Sequence, residues 1–528
     1  MYKFRRLRNL RIWVSLVFLF LISLIFLDPV QWISQRFINV VIWPQLVPSL
    51  LSFSVSASLI ASAFLLFILL TALFGRIYCS SVCPLGTLQD IFSWVHRRFF
   101  AQKPLKFARA RNILRYTILI LVIVSFFAGF SILLNLLDPY SNYGRIMSNL
   151  GRPLVLKSSN GLAGLLEQQD IFWLPKSNFK GHRTASIAFA SGFLLLIGWM
   201  SWSSGRLYCN TICPVGALLG IFSRFSLFRI SLDKQACNSC GQCSKVCKAQ
   251  CIDVKSKEVD FSRCVTCYNC LDVCPSNGVM YNLNRIKSEP VDDFHPDKGN
   301  QTRRNILKAV FLFSAFASLR AFATRVTGGE KPTEIPEDKK LFATPPGSLS
   351  HEHFNRNCTA CHLCVSVCPT QVLQPSFLQY GLQGFMQPFM DYHAGFCNFE
   401  CDLCGQVCPT NAIQELEPEQ KKLTQVGVAH FIKENCVVYT DNTDCGACSE
   451  HCPTKAVNMV PYQNDINPLL TIPEVDDKIC IGCGACEYAC PTKPYRAIFV
   501  DGNAIHKLAD KPVQEEIILI ETEEDFPF

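Results

Sequence analysis

Cys264-Val265-Thr266-Cys267-Tyr268-Asn269-Cys270-Leu271-Asp272-Val273-Cys274-Pro275 sets three cysteines two residues apart, adds a fourth after three more, and ends on proline. A run of this spacing is the ligand pattern of a [4Fe–4S] cubane, and in two-cluster domains the fourth cysteine reaches across to the other cluster. The chain carries 29 cysteines in 528 residues. A disulfide framework predicts irregular spacings in a small secreted domain. Structural zinc favours isolated pairs separated by longer gaps. Only the iron–sulfur reading accounts for repeated runs that end in Cys-Pro.

Applied along the chain, the crossed pattern yields six ligand sets. In the region 233–285, one cluster takes Cys237, Cys240, Cys243 and Cys274, and the other takes Cys264, Cys267, Cys270 and Cys247. Cys247 is followed by Lys248 instead of proline, which leaves Cys251 as an alternative fourth ligand. In the region 351–510, the first pair of sets is Cys358, Cys361, Cys364, Cys408 and Cys397, Cys401, Cys404, Cys368. The second pair is Cys436, Cys445, Cys448, Cys490 and Cys480, Cys483, Cys486, Cys452. Three residues separate Cys397 from Cys401, and eight separate Cys436 from Cys445. A loop can still return either thiolate to its cluster. Two short βαβ-like halves per domain are expected, so the soluble part reads as α+β ferredoxin-type domains of the bacterial two-cluster kind, with six [4Fe–4S] clusters.

The first 232 residues read differently. Hydrophobic residues make up 49% of the chain and charged residues 17%, a balance suited to a polytopic membrane part joined to a soluble one. Apolar runs at 12–27, 50–74, 113–137 and 185–202 are each long enough to cross a bilayer. Lys3, Arg5, Arg6, Arg8 and Arg11 precede the first, and the stretch 76–115 holds eight Lys or Arg residues against Asp90. The positive-inside rule puts both in the cytoplasm.

This part is also duplicated. Leu27-Asp28-Pro29 and Leu137-Asp138-Pro139 end the first and third runs. Gly75-Arg76-Ile77-Tyr78-Cys79 and Gly205-Arg206-Leu207-Tyr208-Cys209 follow the second and fourth, each leading to a second cysteine and proline, Cys83-Pro84 and Cys213-Pro214. A two-helix unit repeated in one orientation implies an axis along the membrane normal. The two pairs Cys79/Cys83 and Cys209/Cys213 should then face each other at the cytoplasmic surface. Their i, i+4 spacing could put each pair on one helical face. Joint metal or cluster ligation, a redox dithiol and a structural turn are all open to them.

The net charge of +8 is unevenly spread and reports topology, and no aromatic-interleaved basic stripe points to nucleic acid. The membrane runs contain no histidine, so haem is not expected. Quinol is the natural membrane donor, with Asp28 and Asp138 as candidate proton acceptors near the outer face; the competing reading is that Asp-Pro simply stops each helix.

The paired Gly-Arg-x-Tyr-Cys-x3-Cys-Pro motifs followed by a ferredoxin domain resemble the NapH-type membrane subunit of periplasmic nitrate reductase systems, a module shared with the NosR type. The region 358–490, with its long gap after Cys436, is similar to the NapG/MauM ferredoxin-type subunit. The resemblance implies a fusion of the two. It implies a quinol dehydrogenase-like electron-transfer component in the inner membrane, passing electrons from the quinol pool to a periplasmic cytochrome or reductase. A membrane maturation factor that reduces a metal or disulfide in a partner is the competing class. The linker 286–350 holds Thr302-Arg303-Arg304-Asn305-Ile306-Leu307-Lys308 ahead of a fifth apolar segment, which resembles a twin-arginine export signal. The first ferredoxin domain is therefore expected in the cytoplasm and the second region in the periplasm, with a solvated acidic tail at 511–528.

Overall fold

The computed structural model describes residues 2–28, 32–56, 62–100, 105–173, 176, 184–283, 335–462 and 469–511. The Arg303/Arg304 pair, the fifth apolar segment and the acidic tail residues lie outside them. The described residues within Met1–Asn284 and Glu337–Phe528 form one compact unit.

Helix α1 (Tyr2–Leu27) stops where Asp28 precedes a proline, which disfavours helical backbone in the residue before it. Short helices α2 (Gln35–Ile42) and α3 (Leu46–Ser56) follow, bent by 107° at their break. Then come α4 (Ala63–Phe74), α5 (Ile77–Ser81) and α6 (Pro84–Phe99). The third apolar run is α7 (Asn112–Phe127) and α8 (Ile132–Leu137), followed by α9 (Pro139–Ile146) and α10 (Arg152–Glu167). The duplicate of α4–α6 is α11 (Thr184–Ser204), α12 (Leu207–Thr211) and α13 (Pro214–Ser223).

Among the described residues, Arg5–Leu27 and Thr184–Ser204 are long and apolar enough to cross a bilayer as single helices, and the bent α2–α3 pair would make a third. The four to five spans expected from hydropathy are therefore not all single helices. The run 113–137 breaks where Gly129 takes φ +86°, so α7 ends after 16 residues, about 24 Å. In the run 50–74, α4 has only 12 residues.

The duplication is physical. Helix α6 packs on α11, and α13 packs on α4, so each unit lies against the other. After α4 and α11 the chain turns at Gly75 (φ +85°) and Gly205 (φ +65°), a conformation glycine adopts without penalty. Arg76 then donates to the Cys209 carbonyl at 3.1 Å, while Arg206 donates to the Cys79 carbonyl. Both arginines are fully buried. Gly216 and Gly86 lie over these same carbonyls, where an added Cβ would sit 2.1 Å and 2.4 Å from oxygen.

The first ferredoxin domain starts earlier than expected, with β1 (Phe228–Leu232) pairing antiparallel to β4 (Val279–Leu283) around β2 (Ile252–Asp253) and β3 (Glu258–Val259). The second region pairs β5 (Leu373–Pro375) with β6 (Pro388–Met390), β7 (Thr424–Phe431) with β10 (Ile498–Leu508), and β8 (Val457–Pro461) with β9 (Thr471–Val475). The halves expected as βαβ-like are antiparallel ribbons, since strands this short close on each other across the cysteine loops without a parallel crossover. The stretch 337–350, read as linker, packs on this region: Leu341 N–H donates to Asp501 at 2.8 Å and its carbonyl accepts from Gly502 at 2.8 Å.

The two cluster-bearing regions meet opposite ends of α1. Arg8, near its start, pairs with Asp272 of the first domain. Ile22, Ile25 and Phe26, near its end, pack with Cys361, Leu363 and Val367 of the second. Arg8 and Phe26 are about 27 Å apart along the axis, close to the thickness of a hydrocarbon core. Ser131 Oγ donates to the Asn355 carbonyl at 2.6 Å and Ser366 Oγ to Ser148 Oγ at 3.1 Å, fixing the second contact.

If the crossed carbonyl contacts hold the repeats together, Gly86→Ala and Gly216→Ala should each cost about 1–3 kcal/mol, because a backbone oxygen cannot retreat from the new methyl. Thermal melting in detergent should show a lowered Tm for both. Gly161→Ala, with open space around its Cβ, should melt no lower than wild type.

Candidate functional site

Each of the six cysteine sets is built on one short helical turn that carries its third cysteine: Cys243, Cys270, Cys364, Cys404, Cys448 and Cys486. In four sets, the residue after the second cysteine is left-handed: Gly241, Tyr268, His362 and Gly484, at φ +72°, +62°, +65° and +78°. In the same four, the second residue after the first cysteine is also left-handed: Ser239, Thr266, Ala360 and Gly482. Two such residues curl the loop so that its backbone N–H groups turn inward, making a concavity suited to an anionic group. Ala360 N–H already points at Cys358 Sγ, 3.4 Å away. Asp402 and Gly446, at the same position in the two irregularly spaced sets, have negative φ. Their longer gaps close the loop another way.

The structure brings together the crossed sets. Cys243 lies in electrostatic reach of Cys237, Cys240 and Cys274, and Cys270 in reach of Cys264, Cys267 and Cys247. Cys364 adjoins Cys358, Cys361 and Cys408, and Cys404 adjoins Cys397, Cys401 and Cys368. Cys448 adjoins Cys436, Cys445 and Cys490, and Cys486 adjoins Cys480, Cys483 and Cys452. Small hollows lined by Cys436, Cys445, Cys448 and Cys490, and by Cys368, Cys397, Cys401 and Cys404, lie at two of these convergences. Four thiols around a hollow, with inward amide donors, fit a cubane.

Cys251 shares the hollow of Cys247, Cys264, Cys267 and Cys270. Its Sγ is 3.6 Å from Cys247 Sγ. This hydrogen bond brings the Cys247 thiol down to about 7 despite burial, and sharing with Cys247 and Cys264 drives the Cys251 thiol up. Both thiols stand at the hollow, and Cys247, the expected crossed ligand, has Cys251 as its hydrogen-bond partner there.

Cys79, Cys83, Cys209 and Cys213 are all buried and lie in electrostatic reach of one another. Neither pair occupies one helical face: α5 and α12 end one turn in, and Cys83 and Cys213 are extended N-caps of α6 and α13. The following prolines dictate this, since they sit at a first helical position and hold the preceding residue out of helical backbone. Arg76 lies 3.7 Å from Cys79 Sγ and contacts no carboxylate among the described residues; its other partners include Asn210 Oδ1 at 2.9 Å and the Ser262 carbonyl at 3.3 Å. Gln89 Nε2 donates to Cys209 Sγ at 3.4 Å. A buried cation without a counter-ion is costly. An anionic metal–thiolate group held by the four cysteines would balance it.

Asp28 and Asp138 serve the backbone. Asp138 caps α9, accepting from Ser141 N–H at 2.8 Å and its hydroxyl at 2.6 Å, and Asp28 accepts from Ile33 N–H at 3.0 Å. Sequence reading passed over the crossed role of Arg76 and Arg206. The signal was present, since an arginine that recurs beside a cysteine at an apolar boundary asks for a buried anionic or carbonyl partner.

A family described as a 4Fe-4S binding domain matches residues 57–101 and 186–233, the two repeated units. Families described as 4Fe-4S dicluster domains match residues 229–288, 357–413 and 442–493. Relatives include the ferredoxin-type protein NapH of Escherichia coli, 28% identical over 43% of this chain and 69% of its own length. The methylamine utilization ferredoxin-type protein MauN of Paracoccus denitrificans is 29% identical over 39% of this chain and 56% of its own. The putative electron transport protein YccM of Escherichia coli is 26% identical over 40% and 51%. No solved structure matches.

Six cubanes require about 24 iron atoms per anaerobically purified chain. Cys247→Ser should lower that figure by about four, the content of one cubane, while Cys251→Ser should leave it unchanged. Iron loss on Cys251→Ser with retention on Cys247→Ser would reverse the assignment.

Proposed function

We propose that this chain, a homologue of the NapH, MauN and YccM ferredoxin-type proteins with 4Fe–4S domains of its own, conducts electrons across the inner membrane from quinol to a periplasmic redox partner such as a cytochrome or reductase. One observation carries the reading: cluster-type cysteine sets meet both ends of α1, and four buried thiols lie in the helical unit between them. Arg76 joins those thiols to the first domain through the Ser262 and Arg263 carbonyls. On the other side, Tyr208 hydroxyl donates to the Leu137 carbonyl at 2.9 Å, beside the Asp138 cap of the helices that seat the second region.

When bound, the clusters supply one-electron transfer without bond making. The protein's part is to hold them close, exclude water and set local charge. In the six ferredoxin-type sets the proposed ligands are the crossed ones: Cys237, Cys240, Cys243, Cys274; Cys264, Cys267, Cys270, Cys247; and the four sets between Cys358 and Cys490. Cys79, Cys83, Cys209 and Cys213 would hold one further redox metal centre, against which Arg76 and Arg206 place positive charge. The basic α1 start and the basic stretch 76–115 put the first domain in the cytoplasm. The second region, at the other end of α1, then faces the periplasm, and the Arg303/Arg304 motif supplies an export route for a domain that carries its cofactors when it crosses.

Two measurements test this. With Cys79→Ser and Cys209→Ser combined, quinol should still reduce the nearest clusters but leave the rest oxidised by EPR, and any iron beyond that of the six cubanes should disappear. Full reduction at the wild-type rate would assign those cysteines to structure only. Protease added to intact spheroplasts should cut the wild-type chain beyond residue 336 and spare it after Arg303→Lys and Arg304→Lys. Protection of both forms would place all six sets on the inner side.

A further inference from the structure

Where α1 and α6 meet the first ferredoxin domain, the protein encloses a cavity of about 570 Å³. That volume is ordinary for a small-molecule or cofactor site. Its polar side is formed by Arg11, Asp90 and Lys248, and its apolar side by Ile12, Leu16 and Trp94. Asp90 accepts three cations, Arg206 at 2.8 Å, Lys248 at 2.9 Å and Arg11 at 3.2 Å, so the pocket holds surplus positive charge around one carboxylate. The Nε atoms of Arg8 and Arg11, two lining residues, are buried without a hydrogen-bond acceptor. Buried donors normally find partners, so these point to an acceptor supplied from outside the chain. Trp94 is 61% exposed and Leu16 42% exposed, so the apolar side opens outward beside α1, a helix long and apolar enough to cross a bilayer.

The cavity also touches the cluster loops. Val246 and Lys248, which flank Cys247, line it, as does Asn269 beside Cys270. We propose that it binds the ring of a lipid-soluble quinone or quinol, with the ring oxygens toward Arg11 and Lys248 and the isoprenoid tail leaving past Leu16 and Trp94. This rests on the reading of quinol as the membrane donor. It moves the site from the Asp28/Asp138 end of the helices to the Arg8 end. An anionic phospholipid would also meet basic and apolar groups here, but its phosphate would face the Asp90 carboxylate. The neutral carbonyl of a quinone accepts from the same donors without that repulsion.

In the oxidative direction, quinol loses two O–H bonds, its two C–O bonds become carbonyls, and two protons leave to water. The two electrons would leave singly, one to each of the clusters that the two cysteine sets of the domain 233–285 would hold.

The test uses the full-length, cluster-loaded chain in nanodiscs with an azido derivative of a short-chain ubiquinone. Photolabel should map by mass spectrometry to α1 around Leu16 and α6 around Trp94. Leu16→Trp and Ile12→Trp, both on exposed positions and filling the cavity, should weaken equilibrium binding of the unmodified short-chain ubiquinone about tenfold or more at unchanged iron content. Label confined to the residues around Asp28 or Asp138, or wild-type affinity in both tryptophan variants, would overturn the site. So would a tightly co-purified anionic phospholipid whose removal gives no quinone binding. Cluster reduction by quinol, followed in parallel, separates the two claims. Cavity labelling without reduction upholds the site and removes quinol as donor, whereas reduction with label elsewhere overturns the site and keeps the donor.

Discussion

Two buried guanidinium groups organise the centre of this protein. Arg76 and Arg206 each leave their own repeat and donate to the cysteine carbonyl of the other, Cys209 and Cys79. A charge taken out of water must recover several kcal/mol of lost hydration through its partners. Only the paired arrangement offers these partners, so neither repeat can form the site by itself. The same contacts position the four thiols, set the turns at Gly75 and Gly205, and seat the first ferredoxin domain through the Ser262 and Lys248 carbonyls. Arg206 N–H donates to Lys248 at 3.0 Å, and an added Cβ at Gly205 would meet that same oxygen at 2.5 Å.

From this centre the molecule extends both ways along α1. One end carries Arg8 and Asp272, the other the apolar cluster of Ile22, Ile25 and Phe26 with Leu363 and Val367. The interactions differ in kind because the surfaces do. The first domain meets the basic end of the helices through charge and carbonyl contacts. The second buries leucine and valine against an apolar helix end, and small side chains such as Ser131 and Gly144 allow close approach. A Cβ on Gly144 would lie 2.4 Å from the Cys361 carbonyl. Packing at both ends of one helix fixes the separation of the two cysteine-rich regions, which the proposed electron transfer would require.

Within the cluster loops, left-handed backbone tracks regular spacing. Tyr268, His362 and Ala360 pay for positive φ although they have side chains, a cost of order 1–3 kcal/mol each that persists only where the surroundings demand it. The demand is the anionic centre the loops are shaped to surround. The three-residue gap before Cys401 closes with no left-handed residue, and the eight-residue gap before Cys445 places its one at Asn442, φ +51°, away from the positions the regular sets use.

Much of this was legible in the residues. Cysteine spacing grouped into six sets the thiols that the structure brings together, because spacing decides whether a loop can wrap a common centre. The duplicated Gly-Arg-x-Tyr-Cys motif exposed the repeat, and the apolar runs located the helical part. Tertiary structure decided the rest. Hydropathy counts apolar residues but not backbone breaks, so it could not show that Gly129 divides one run or that 107° separates α2 from α3. The motif placed Arg76 and Arg206 in the chain but could not reveal that each serves the opposite repeat. Asp28 and Asp138 are conspicuous as carboxylates at an apolar boundary, and only the tertiary structure shows that Oδ2 of each accepts a backbone N–H. The cavity beside Asp90 is assembled from three segments far apart in sequence, and no local pattern announces a space that exists only once those segments pack.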